Sequence, residues 1–274
     1  MTARRLKPVS VAKPWGRTDL PPGLGNGRDE AVGEVWFTDP DASDAPLLVK
    51  YLFTSEKLSV QVHPGDEEAR RYGFPGGKSE CWYVLDAVPG ATLGIGLRHP
   101  VSEAELRAAA LDGSLERLID WKPVRTGSFY YIPPGTVHAI SGGIRLVEIQ
   151  LNNDVTYRLF DYGRPRALHL DEGLAVALPE QYQQPERIVT GDVSERLVSG
   201  DDAPFVLDSL VAATGETLQL DDGPFWFVPL QGHGTMGGEH WSAGDCWMIE
   251  DGAEISVASR MHAFVARVAR AERT

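Results

Sequence analysis

The sequence predicts an all-β protein with a few helices, arranged as two β-barrel units of which the second is degenerate. Three observations carry this expectation. Short apolar runs recur along the chain, separated by 29 glycines and 19 prolines that are spread out rather than gathered in one linker, as in strands joined by turns. Only two stretches look helical. A turn-strand-turn unit starting at Gly127 recurs 117 residues later at Gly244.

Taken in order, the expected strands are LLVKYLF (47–53), residues 58–63, SECWYVL (79–85), SFYYI (128–132), IRLVEIQL (144–151), FWFVPL (225–230) and EISVAS (254–259). SEAELRAAALDGSLERLIDW (102–121) reads as a helical insertion, because Ser102 and Glu105 have the spacing of a capping box. DEGLAVAL (171–178) is the second helical region. In the first copy of the repeat, Gly127-SFYYI-Pro133-Pro134-Gly135-Thr136-Val137 leads to His138; in the second, Gly244-DCWMI-Glu250-Asp251-Gly252-Ala253-Glu254 leads to Ile255. The second unit therefore lacks the polar residue. Hydrophobic periodicity fades in PEQYQQPERIVTGDVSE (179–195), which places one domain at 1–180 and a degenerate β domain at 181–274. The closing SRMHAFVARVARAER reads as a basic edge strand or a terminal helix.

Composition narrows the partners. Thirty-nine acidic against 26 basic residues give a formal charge of −13, which repels nucleic-acid backbones and anionic membranes and leaves a small molecule as the expected partner. Two cysteines, Cys81 and Cys246, make no disulfide framework and fit a reducing compartment. The basic N-terminus lacks the apolar stretch of a signal peptide and no later run is long enough to cross a bilayer. The expectation is a soluble cytoplasmic protein.

The chemistry concentrates in a few polar side chains. Alternation on a strand at 58–63 puts Gln61 and His63 on one face. In the next strand Lys78 and Glu80 share a face with Trp82 and Val84, and a third strand leads through the Pro133-Pro134-Gly135 turn to His138. Two histidines, a carboxylate and an amide oxygen suit a borderline divalent cation such as Zn²⁺, with positions open for water or substrate. Glu148 is a rival carboxylate, since 146, 148 and 150 share a face near His138. His99, His169, His233, His240 and His262 lack matching spacing and read as structural or solvated.

Gly-x5-Pro-x-Gly-x2-His at 127–138 resembles the second cupin motif, and Gln61-x-His63 followed by Glu80 departs from that superfamily's usual His-x-His opening. Together with KPWG (13–16), GEVW (33–36), QVHPGDEEA (61–69), GKSECWYVLDA (77–87), PPGTVHAISGG (133–143) and NNDVTYRLFDYGRPR (152–166), this pattern resembles the type I mannose-6-phosphate isomerases of the short bacterial kind. The resemblance covers residues 7–180. It implies two cupin-type, jelly-roll barrels and one zinc ion per chain held by Gln61, His63, Glu80 and His138. It also implies an active-site Lys78 and an Asp154–Arg158 pair, of which the arginine is the family's assigned residue. Arg17 after Trp15-Gly16 departs from relatives with two glycines there, away from every ligand position.

The implied reaction interconverts mannose 6-phosphate and fructose 6-phosphate by moving a proton between C1 and C2 through an enediol. Lys78 is expected in the proton relay, with Asp154 and Arg158 orienting groups or stabilising the developing oxyanion. No phosphate-cradling glycine loop is present, so Lys78, Arg158 and Arg164 are the expected phosphate contacts. Two other functions compete: a non-catalytic sugar-phosphate-binding cupin, and another metal-dependent cupin enzyme such as an Fe²⁺ oxygenase. Gln61 in place of a histidine argues against redox work, and Lys78, Asp154 and Arg158 together argue for catalysis. A net negative chain still accommodates a phosphate where Zn²⁺, Lys78 and Arg158 make a local positive pocket.

Overall fold

The computed structural model describes residues 3–21, 24, 30–39, 44–201, 203–221 and 223–269. It opens with β1 (Ala3–Arg5), β2 (Lys7–Arg17), β3 (Val32–Thr38), β4 (Leu47–Phe53) and β5 (Val60–Val62). A short helix that the sequence reading does not anticipate follows, α1 (Asp66–Arg71), with three acidic residues in its first turn and i,i+4 pairs Asp66–Arg70 and Glu67–Arg71. β6 (Glu80–Ala87) and β7 (Thr92–Leu97) come next.

The stretch read as one helix at 102–121 divides into α2 (Glu103–Asp112), α3 (Leu115–Leu118) and the start of β8 (Ile119–Pro123). Its beginning is as expected: the Ser102 hydroxyl accepts from the Glu105 N–H and the Glu105 carboxylate accepts from the Ser102 N–H. Its end differs because Gly113 adopts φ +81°, the left-handed conformation that terminates a helix. Then follow β9 (Ser128–Ile132), β10 (His138–Ile140), β11 (Ile144–Leu151), β12 (Tyr157–Phe160), α4 (Leu170–Val176) and β13 (Arg187–Ile188).

The chain divides into two compact units. One comprises Ser10–Val35 with Lys50–Ile188, and the other Met1–Val9, Trp36–Val49 and Val189–Thr274. The first holds a five-stranded sheet of order β12-β5-β10-β7-β8 and the greater part of a seven-stranded sheet of order β13-β9-β6-β11-β4-β3-β2. Trp82, Val84, Tyr130 and Leu146 of the larger sheet and Leu93, Ile95 and Ile140 of the smaller one form a single buried cluster, so the two inner faces interdigitate. On the other face of the smaller sheet, Val60, Val62, Ala139 and Leu159 pack with Leu106, Ala109 and Leu115 of the helices and with Leu174 of α4. Residues between these outward ones, Gln61 and His138 among them, are left to face the interior.

The second unit contains β14 (Glu195–Val198), β15 (Phe205–Ala212), β16 (Thr217–Leu220), β17 (Phe225–Gln231), β18 (His233–Met236), β19 (Glu239–Ser242), β20 (Trp247–Ile249), β21 (Ala253–Val257) and β22 (Met261–Val268). These form a six-stranded sheet β1-β20-β17-β22-β15-β14 and a four-stranded sheet β16-β21-β18-β19. β22 is thus an interior strand, bonded on both sides, and neither the edge strand nor the helix expected for that segment, of which residues 270–273 lie outside the described residues; its neighbours bury Ala263 and Val265. Ile255 is fully buried in the same cluster. Both cysteines are free and buried. Among the described residues no helix is long and apolar enough to cross a membrane.

Candidate active site

The interior of the first unit gathers polar side chains that its sheets would otherwise not tolerate. β10 pairs with β5 so that His138 lies directly opposite Gln61. His63 stands just past the end of β5. Glu80 opens β6 from the facing sheet, in register with Ile132 on one side and Gln150 on the other. Lys78 reaches the same place because the 76–78 segment lies against the His63-Pro64-Gly65 turn. The Lys78 N–H donates to the Pro64 carbonyl at 3.0 Å, and a Cβ on Gly77 would stand 2.5 Å from the Gly65 carbonyl carbon. Only glycine permits that approach.

The hydrogen bonds determine where the lone pairs point. His63 Nδ1 is 2.8 Å from the Val155 carbonyl and His138 Nδ1 is 2.8 Å from the Thr136 carbonyl. A carbonyl only accepts, so both Nδ1 atoms carry the proton and both Nε2 atoms present lone pairs. These face Glu80: His63 Nε2 is 3.5 Å from Oε2 and His138 Nε2 is 3.6 Å from Oε1. His63, His138 and Glu80 are at most 2% exposed. Glu80 Oε1 and His138 Nε2 have no hydrogen-bond partner, a costly arrangement for buried polar atoms unless a cation bridges them. On the other side the Lys78 ammonium lies 2.8 Å from Glu80 Oε2 and 3.2 Å from His63 Nε2, so a positive charge is already drawn to part of the cluster.

The titration behaviour follows from this geometry. Burial, reinforced by the Lys78 charge, pushes the His63 imidazole down to about 4. Burial also lowers His138, against the opposing pull of Glu80. Burial alone would raise Glu80, but the Lys78 and His63 charges outweigh it and hold the carboxyl well below its usual range. Burial likewise opposes the Lys78 ammonium, and the carboxylates of Glu80 and Glu148 more than compensate, holding it above the ordinary lysine value. Two neutral imidazoles and an ionised carboxylate, with ligand atoms all within 4.8 Å of one another, fit a divalent metal cation, and Gln61 stands opposite His138 on the neighbouring strand. The two carbonyl-anchored Nδ1–H groups are the supports such ligands need to keep their orientation.

The cluster lies behind a cavity of about 560 Å³ that Gln61, Lys78, Asp154 and Arg158 help to line. Several lining residues escaped the sequence reading. Lys13 and Glu34 form an ion pair of 3.2 Å on the wall. Lys50 is 3.2 Å from Glu148 and donates to Gln150 Oε1 at 2.6 Å, while the Trp82 indole N–H donates to Glu148 Oε2 at 3.0 Å. Glu148, the rival metal carboxylate, is therefore engaged by Lys50 and Trp82 and lies outside the ligand cluster.

The two residues of the Asp-x3-Arg pair differ in surroundings from these. Neither Asp154 nor Arg158 has an ion-pair partner among the described residues. The Arg158 guanidinium makes one long contact, 3.4 Å, to the Ala167 carbonyl, and burial together with the nearby Arg166 charge lowers its pKa. Arg164 is not part of the cavity lining: it donates to the Lys57 carbonyl at 2.6 Å and its Nε is 3.1 Å from Asp161. Arg166 lines the cavity instead, with both arms on Asp161 at 2.6 and 2.7 Å. His169, read from sequence as structural or solvated, also faces the cavity.

No protein-family model matches the chain. A mannose-6-phosphate isomerase of Streptococcus mutans is 40% identical over 146 residues, which are 51% of this chain and 46% of that protein. The chain spans about half the length of the curated relatives it matches. The crystal structure of the mannose 6-phosphate isomerase from Bacillus subtilis superposes with a TM-score of 0.80 at 24% identity, covering 98% of this chain and 100% of that one. A mannose 6-phosphate isomerase structure bound with zinc and yttrium superposes with a TM-score of 0.71 at 12% identity, with 98% and 100% covered. The fold is therefore that of the mannose-6-phosphate isomerases, which is the cupin fold.

Proposed function

We propose that this chain is a zinc-dependent mannose-6-phosphate isomerase, interconverting mannose 6-phosphate and fructose 6-phosphate. The observation that carries the reading is the juxtaposition of a buried His63-Glu80-His138 lone-pair cluster with a cavity bearing the unpaired Arg158 cation. The similarity to named isomerases supports it.

Gln61, His63, Glu80 and His138 would hold one zinc ion, which when bound supplies Lewis-acid polarisation to a sugar oxygen. Lys78 is the residue at the boundary of cluster and cavity: as an ammonium it donates a proton to the C1 carbonyl oxygen while the Asp154 carboxylate on the cavity wall takes the C2 proton, and Asp154 then returns that proton to C1 as the Lys78 amine takes the O2 proton. The net change is one hydrogen moved from C2 to C1 and one from O2 to O1, with nothing gained or lost. Arg158, which keeps its proton under all these conditions, stabilises the developing enediolate oxygen or holds the phosphate. Asp154, free of an ion pair, also orients the sugar hydroxyls. Lys78, Arg158 and the Asp161-bound Arg166 offset the phosphate charge locally within an acidic protein. The test is to incubate zinc-loaded protein with mannose 6-phosphate and follow the sugars by NMR. Fructose 6-phosphate should form; a zinc-loaded protein that forms none overturns the reading.

A further inference from the structure

We propose that His169 is a substrate-binding residue whose Nε2–H donates to the phosphate of the bound sugar, beside the Arg158 guanidinium. This rests on the sugar-phosphate reading of the cavity. The argument begins with a main-chain bond. His169 Nδ1 is 3.2 Å from the Arg158 backbone nitrogen, whose only capacity is to donate. Nδ1 must therefore accept, and the single proton of a neutral imidazole sits on Nε2. That tautomer is the opposite of the one His63 and His138 adopt, and it gives the side chain an outward donor rather than a lone pair.

The ring is held in place. The His169 N–H donates to the Arg158 carbonyl at 2.8 Å, so main chain and side chain both tie residue 169 to residue 158, which is itself in register with Gln61. The imidazole lies against the Tyr157 ring, 6.2 Å between centroids. Nε2 has no hydrogen-bond partner among the described residues, and the side chain lines the cavity. Around it, Arg166 is already engaged by Asp161, and Asp154 and Glu172 bring negative charge to the same cavity. An anion is therefore retained only by donors aimed directly at it. Arg158, without a carboxylate, and His169, with a fixed Nε2–H, are adjacent donors of that kind.

Two near-isosteric variants separate this role from a purely structural one. Asparagine at 169 keeps an acceptor near the Nδ1 position and has nothing at Nε2. Glutamine places an amide donor near Nε2 and loses the acceptor. Donation to phosphate predicts that His169→Asn raises KM for mannose 6-phosphate about tenfold or more with kcat within about threefold, while His169→Gln stays within about threefold of the parent in both. The same order is expected for the Kd of inorganic phosphate, measured by calorimetry on the zinc-loaded proteins. If His169→Gln is the impaired variant and His169→Asn is not, or if both are impaired equally, or if neither changes phosphate affinity, the inference fails. A parent protein that binds phosphate but turns over no mannose 6-phosphate would sink the isomerase reading, and the phosphate titrations would then decide the role of His169 alone. A parent that binds no phosphate overturns it.

Discussion

Replacing Glu80 with glutamine removes one charge from the centre of the cluster and almost nothing from its shape. Glu80 Oε2 and Lys78 Nζ are 2.8 Å apart and both side chains are buried. At that separation and an effective dielectric constant of about 20, their attraction is about 6 kcal/mol. Part of it only offsets the cost of burying the charges, and breaking such a pair by removing one partner costs about 3–5 kcal/mol, because the survivor is left uncompensated. In chelated protein, Glu80→Gln should therefore lose about 3–5 kcal/mol in urea unfolding, and Lys78→Met should lose a comparable amount. The double variant should lose less than the sum of the singles by about 2 kcal/mol or more, because it strands neither charge. Equal urea midpoints for Glu80→Gln and the parent at unchanged slope, or strict additivity in the double variant, would refute the buried-pair reasoning.

Other outcomes follow from the same geometry. Arg158→Ala should cut kcat by about a hundredfold or more while bound zinc stays near one per chain, since the candidate ligand cluster is His63, Glu80 and His138 and a guanidinium, always charged, is no metal ligand; turnover at the parent rate, or loss of the metal, contradicts the assignment. Chelated protein should weaken as pH falls below about 6.5, because burial holds His63 at about 4 and also lowers His138, so the unfolded chain binds protons that the folded one refuses. The contribution is complete above about pH 6.5, declines as pH approaches 4, and for His63 amounts to about 3 kcal/mol. Urea midpoints that hold constant or rise from pH 7 to 5 would contradict it.

What was legible in the sequence was local. Alternation on 58–63 and 78–84 located two strands, because strand geometry depends only on neighbours, and β5 and β6 carry Gln61 and Glu80 there; His63 and Lys78 lie just outside the strand ends, and Lys78 comes to Glu80 through the 76–78 segment. The Ser102 capping box marked the start of α2 for the same reason. Gly113 was the missed stop, hidden inside a helical pattern. α1 was missed because its charged, six-residue sequence carries no apolar periodicity. Lys13, Glu34 and Lys50 were out of reach: they meet the cavity through strand pairing across long separations, although KPWG and GEVW held two of them. Arg166 rather than Arg164 faces the cavity because the chain turns sharply between them and β12, where Tyr162 takes φ +52°. The linear division at 180 could not anticipate that β1 pairs with β20, which joins the first residues to the C-terminal unit.

The most direct measurement of the central claim is a coupled assay of fructose 6-phosphate formation from mannose 6-phosphate, run on purified protein, after chelation, and after adding zinc back at one equivalent. The account predicts activity that disappears on chelation and returns with zinc. Activity that persists in fully chelated protein, or a zinc-replete protein that forms no fructose 6-phosphate, would contradict it.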